Sequence, residues 1–197
     1  MNSACWAVLF KVFSKMQNKL FALLIIILFI AGYNSDIFKS KNRTFDISYH
    51  VNKKDSIQPS YQVAIWLEKP DGAYVKTLFV SEYLSYGGFF IPNICPDWVV
   101  KACWDKTTKD EFDAATGATP LVGDRSFEFN CFERQIPVGL YKYFIEVHII
   151  EDFNELYTGE IEIADEENES ETRVIYLPEK HPKANNILSH VKAKYSN

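Results

Sequence analysis

The stretch YQVAIWLEKPDGAYVKTLFVS, residues 61–81, decides the fold. Its first part, Tyr61 to Glu68, is apolar on both faces, the mark of a strand in the middle of a sheet. KPDG (Lys69 to Gly72) then supplies turn chemistry, because proline presets one backbone angle and glycine accepts a positive one. YVKTLFVS (Tyr74 to Ser81) returns as the hairpin partner.

Period-two alternation extends outward from this hairpin, as half-buried strands require. Upstream, Phe45, Ile47, Tyr49 and Val51 share one face, with Asp46, Ser48 and His50 on the other. Downstream strands are expected at Ser126 to Phe132, Leu140 to Ile150, Tyr157 to Ile163 and Thr172 to Leu177. In the longest, Tyr141, Tyr143, Ile145, Val147 and Ile149 oppose Lys142, Glu146 and His148. PVGLYKYF leads into it with a Pro-x-Gly-x-Tyr pattern that suits a tight turn. Seven strands without βαβ alternation point to an all-β, immunoglobulin-like antiparallel β-sandwich, with residues 44–178 as the domain.

Residues 82–123 interrupt the pattern. A connection of this length inside a compact domain is usually functional or disordered, and its Trp, Phe, Tyr and Cys content argues against disorder. PDWVVKACWDK (Pro96 to Lys106) reads as a short helix with proline in its first turn, so the insertion is partly helical. Val99, Ala102 and Cys103 are expected to face the sandwich, with Trp98 and Trp104 on or beside that face, covering core or stacking a ligand. The tail, residues 179–197, is polar with one weakly amphipathic turn and is expected to dock on the surface.

At the other end, LFALLIIILFIAG follows Lys11, Lys15 and Lys19, the layout of a secretory signal. Residues 1–35 therefore read as a signal peptide or, if uncleaved, as an N-terminal anchor, the chain's one route to a membrane. Met16 opens a stretch that is already a complete signal, and FIAGY has tyrosine where a lipoprotein signal needs cysteine. Beyond Cys5, the odd set Cys95, Cys103 and Cys131 allows one pair plus a free thiol, or buried thiols throughout. The net charge of −5 is mild, its acidic run Ala164 to Glu171 reads as a solvated loop, and the absence of a basic stripe excludes nucleic acid as a partner.

Little in the sequence speaks of catalysis. The four histidines have neither HExxH spacing nor cysteine partners, so no metal site is specified, and His50 and His148 read as solvated imidazoles. Asp110, Glu111 and Asp113 form a carboxylate cluster that could bind a cation such as calcium, though loop carboxylates are common, and no catalytic residue is assigned. NRT at Asn42 and NES at Asn168 fit the glycosylation pattern, which matters only in a eukaryotic secretory pathway.

The exception is DAATGATP, residues 113–120. Gly117 and Ala118 remove bulk just before Thr119, and Pro120 biases Thr119 toward an extended backbone. A hydroxyl at the end of such a segment can enter another enzyme's cleft. Equally, Asp113 and Thr116 can satisfy backbone groups in a tightly packed turn.

The stretch resembles the flavinylation motif Asp-x-x-Ser/Thr-Gly-Ala-Thr of exported FMN-carrying domains, with every fixed position filled. That resemblance implies covalent FMN on Thr119, transferred from FAD by a magnesium-dependent flavin transferase. Asp113, Thr116, Gly117 and Ala118 would be the recognition context, and an exported or membrane redox partner would exchange the electrons. The wider chain, over about residues 60–165, is similar to a family of periplasmic proteins catalogued as domain of unknown function 2271. This likeness implies an exported immunoglobulin-like sandwich and no established activity. It also implies a Trp-Asp pair in the strand after the motif, where this chain reads FEFNCFER.

Two functions follow as expectations. One is a periplasmic, non-enzymatic redox carrier with FMN on Thr119 and its ring near Trp98, Trp104 or Phe112, since the cofactor supplies the chemistry and the protein its position. The other is a cofactor-free binding or structural module that uses residues 82–123 as a recognition surface. A hydrolytic or metal-dependent enzyme is the residual alternative, without a visible nucleophile–base pair.

Overall fold

The computed structural model describes residues 43–197, so the segment read as a signal or anchor, with Cys5, lies outside the described residues. Ten strands form two sheets: β1 (Thr44–Val51), β2 (Gln62–Glu68), β3 (Tyr74–Ser81), β4 (Thr116–Gly117), β5 (Gly123–Asn130), β6 (Gly139–Ile150), β7 (Phe153–Ile163), β8 (Asn168–Ser170), β9 (Arg173–Leu177) and β10 (Leu188–Ser196). One sheet runs β5-β1-β10-β8 and the other β4-β3-β2-β6-β7-β9. The protein is thus mostly β and built from two sheets, as a β-sandwich is.

The hairpin at residues 61–81 forms as its sequence dictates. Gly72 takes φ +86°, Lys69 N–H bonds Ala73 O at 2.8 Å, and β2 lies between β3 and β6, both antiparallel to it. Its two apolar faces serve two cores. Val63, Ile65 and Leu67 join Phe45, Ile47, Tyr143, Ile145 and Val147 in the principal core. Ala64 and Trp66 join Leu84, Ile94, Trp98, Trp104 and Leu156 in a second one. Every residue of β2 is buried as a result.

The second core is roofed by the chain between β3 and β5. It contains α1 (Glu82–Ser85), α2 (Pro96–Ala102) and α3 (Lys109–Ala115), with 3-10 turns at Gly88–Phe90 and Trp104–Lys106. The roof is pinned by polar contacts as well as by burial. Trp98 Nε1 donates to Thr77 Oγ1 at 2.9 Å, Lys101 Nζ pairs with Glu68 at 3.0 Å, and Asn154 accepts from Cys95 N–H at 3.2 Å. Removing a buried tryptophan such as Trp98 costs about 3–5 kcal/mol by the usual scale of core truncations.

The helix phase differs from the sequence expectation. Trp98 is the buried residue of α2, Val99 and Ala102 pack at the margin of the second core, and Cys103 is exposed. The backbone at Cys95 and Cys103 is left-handed at both ends of α2 (φ 48° and 46°), which turns the Cys103 side chain outward. Cys95 and Cys131 are buried, and Cys95, Cys103 and Cys131 are all free thiols.

The tail differs too. Residues 188–196 are not a docked tail but strand β10, paired with β1 and β8 in the interior of the smaller sheet. Leu188, Ala193 and Tyr195 are buried, and Tyr195 Oη donates to Ala164 O at 2.6 Å. A bulge between Ser189 and Lys192, with His190 at φ +53°, breaks the period-two pattern midway. The outward lysines Lys192 and Lys194 give the segment its polar look.

Candidate functional site

Helix α3 delivers the motif. Thr108 caps it, accepting from Glu111 N–H at 3.2 Å, with Asp110 and Glu111 in its first turn. Asp113 is exposed and pairs with Lys109 one turn earlier, while Glu111 accepts from Tyr74 Oη at 3.0 Å. The helix ends where Thr116 turns extended (φ −73°, ψ 130°). Thr116 and Gly117 then lie parallel to Val80 and Ser81 on the edge of the larger sheet.

Each motif position has a distinct structural setting. Thr116 Oγ1 is buried without a hydrogen-bond partner. Gly117 lies so close to Phe79 that an added Cβ would fall 2.6 Å from Phe79 Cε2. Ala118 is exposed and Thr119 partly exposed, between that close-packed glycine and the buried Pro120. The segment is therefore anchored on both sides of a partly exposed threonine.

Thr119 does not stand alone, and its neighbours went unsingled in the sequence. Gln62, at the start of β2, donates from Nε2 to Thr119 Oγ1 at 3.3 Å and to Ser60 O at 3.3 Å. Ser60 is in turn fixed to β6. Its N–H donates to Ile149 O at 2.8 Å, and its Oγ lies 2.6 Å from His148 Nδ1. The other ring nitrogen, Nε2, lies 3.0 Å from Glu151 O, a pure acceptor, so Nε2 carries the proton and Nδ1 accepts from Ser60. Burial lowers the His148 pKa, which favours this neutral ring.

His148 is thus not the solvated imidazole its strand position implied; it is buried, with Ser60 and the Glu151 carbonyl at its two ring nitrogens. The insertion does cover Glu146, which accepts from Trp98 N–H at 2.8 Å and Asp97 N–H at 3.4 Å. Removal from water pushes its carboxyl up to about 8. His50, by contrast, stays partly exposed and pairs with Asp124 at 2.7 Å.

The aromatic residues divide by exposure. Trp98 and Trp104 are buried with ring centroids 5.2 Å apart, so they build the second core and present no open face to a planar ligand. Trp104 stacks at 5.9 Å on Phe112, which meets Tyr86 edge-on at 5.0 Å. Tyr86 is 71% exposed. The accessible end of this aromatic series is therefore Phe112 and Tyr86, next to the motif helix. Tyr86 carried no sequence signal, since an isolated tyrosine in an aromatic-rich insertion looks like its neighbours.

Among the described residues, no three His, Cys, Asp or Glu side chains are grouped to hold a metal ion. The carboxylates Asp110, Glu111 and Asp113 do not converge, two of them being engaged with Tyr74 and Lys109. No curated protein and no solved structure matches the chain. A family model does match, over residues 44–175, which is more than half of the chain and takes in the motif and the strands before β10 up to part of β9. The chain belongs to the extracytoplasmic family described as predicted periplasmic protein DUF2271.

Proposed function

We propose that this protein is an extracytoplasmic, non-enzymatic immunoglobulin-like domain that carries FMN as a phosphoester on Thr119 and exchanges electrons with an exported or membrane partner. The observation that carries the reading is the setting of Thr119: a stretch with every fixed position of the flavinylation motif ends in a partly exposed threonine, anchored by Gly117 on Phe79 and by the buried Pro120. A flavin transferase would join Thr119 Oγ1 to the FMN phosphorus of FAD. The bond to the AMP phosphate oxygen breaks, AMP leaves, and the threonine proton passes to the transferase's base. No electrons move in that step. When bound, FMN supplies reversible electron transfer; this chain supplies its attachment and surroundings.

Tyr86, 71% exposed, and the partly buried Phe112 that it meets edge-on are better placed for a flavin ring than the buried Trp98 and Trp104. The immunoglobulin-like reading is supported at the entry to β6. Tyr141 Oη donates to Pro137 O, four residues upstream, at 2.6 Å, the contact of a tyrosine corner in such sandwiches.

The test is co-expression with a flavin transferase, denaturation, and measurement of in-gel flavin fluorescence and intact mass. Wild type gains the mass of FMN less water, and Thr119→Ala gains nothing. An unlabelled wild type beside a labelled acceptor domain in the same cells refutes the reading. A second reading, a cofactor-free recognition module, is favoured by one surface: Tyr83, Tyr86, Phe90 and Ile91 are all exposed on the insertion.

A further inference from the structure

Gln62 is nine-tenths buried, and both protons of its amide are spoken for. One goes to Ser60 O and the other to Thr119 Oγ1, each at 3.3 Å. The Ser60 carbonyl decides which way the amide faces, because a flipped amide would set Oε1 against that carbonyl oxygen. Ser60 is itself held on β6 by its N–H to Ile149 O and its hydroxyl to His148 Nδ1, with the ring anchored on Glu151 O. The residue after Ser60, Tyr61, sits at φ +55°, a conformation that a non-glycine residue keeps only when its surroundings impose it. The end of β6 thus fixes Ser60, Ser60 fixes the Gln62 amide, and the amide addresses Thr119.

We propose that Gln62 is the positioning residue for modification of Thr119, an inference that rests on the acceptor reading above. Nε2 is a donor, so Thr119 Oγ1 accepts from it and keeps its own proton for an incoming base. The contact favours the Thr119 rotamer that holds the reacting oxygen against the amide. After transfer, Oγ1 is an ester oxygen that has lost its proton and can still accept. The Gln62 contact is therefore compatible with both the free and the modified states, which an acceptor at the same position would not be. Ser60 and His148 act one step behind, through the backbone carbonyl of Ser60.

The experiment compares wild type, Gln62→Met and Ser60→Ala in the full exported chain, with purified flavin transferase and FAD. Methionine keeps the volume and removes the donor; the serine variant keeps the carbonyl that orients the amide. Expected are an initial rate at saturating transferase about tenfold lower for Gln62→Met, with half-saturation unchanged, and a Ser60→Ala rate within about threefold of wild type. In the unmodified proteins, three-bond couplings show one Thr119 χ1 rotamer in wild type and averaged rotamers in Gln62→Met, while hydrogen exchange in β6 is unchanged. This readout needs no flavin. A Gln62→Met rate within twofold of wild type, or an unchanged Thr119 rotamer, overturns the proposal. Failure of wild type to accept FMN at all overturns the acceptor reading and this inference together. Global unfolding of Gln62→Met, read as raised exchange throughout β6, moves the decision to Gln62→Glu. Transfer to that variant, assayed above pH 8 so that its carboxyl is ionised and supplies only acceptor oxygens, must also be slowed about tenfold relative to wild type at the same pH.

Discussion

Replacing Glu146 with glutamine should flatten the pH dependence of stability. Glu146 is fully buried beneath α2, and its carboxyl is bonded to the backbone N–H groups of Trp98 and Asp97. Burial raises its pKa from 4.5 to about 8; the Trp98 N–H bond opposes the rise, and the charge of Asp97 adds to it. In the unfolded chain this group loses its proton near pH 4.5, and in the folded chain only near pH 8. Between those values the unfolded state binds fewer protons, so stability falls as pH rises. The contribution is fully present below about pH 4.5 and lost by about pH 8. Each unit of pH is worth about 1.4 kcal/mol, so the loss from this group between its unfolded value and neutrality is on the order of 3 kcal/mol. Glutamine keeps an acceptor for Trp98 N–H and does not ionise. Urea unfolding of both proteins between pH 5 and 8 isolates the effect, because every other titrating group is shared. The difference in unfolding free energy should move in the variant's favour by about 1 kcal/mol per pH unit. Parallel profiles would mean that Glu146 ionises in the folded protein much as it does in water, and the reasoning from burial would fail.

Two further perturbations probe the motif and the tail. Gly117→Ala forces a Cβ to within 2.6 Å of Phe79, whose ring is held 4.7 Å from Phe127. The expected destabilisation is about 1–3 kcal/mol, seen as a drop in urea midpoint without change of slope; an unchanged midpoint refutes the close approach. Deleting residues 188–197 removes a strand from the interior of the smaller sheet, with buried Leu188, Ala193 and Tyr195. The truncated chain should lose its cooperative thermal transition, and a retained near-UV dichroism spectrum would show β10 to be dispensable.

The strands that could be read from sequence were those whose two faces meet different surroundings. β1 alternates buried and partly exposed along its whole length, and β2 declared its central position by being apolar throughout. β10 escaped because a bulge puts Leu188 and Ala193 out of step, so no uniform period connects them. The motif stood out because small residues in an aromatic-rich insertion are conspicuous. Gln62 did not, since one polar residue at the start of a buried strand has the same appearance whether it caps the strand or holds a threonine 57 positions away.

The misreading of β6 has a cause that also bears on the site. Its face bearing Lys142, Glu146 and His148 looks like the wet side of a two-layer sandwich, where ionisable residues belong. Tyr83 to Pro96, however, contains no charged residue, and a chain segment of that composition gains most by covering a sheet. Once it does, the ionisable residues beneath it must find partners or neutralise. Glu146 takes two backbone N–H groups, and His148 takes Ser60 and the Glu151 carbonyl. The hydroxyl of Ser60 is drawn inward by that histidine, which fixes its carbonyl and leaves the Gln62 amide facing Thr119. The polar cluster behind the motif thus continues, at the end of β6, the buried polar row that the insertion covers at Glu146. Stripping the insertion from the sheet would free Thr119 from its support even with the motif intact.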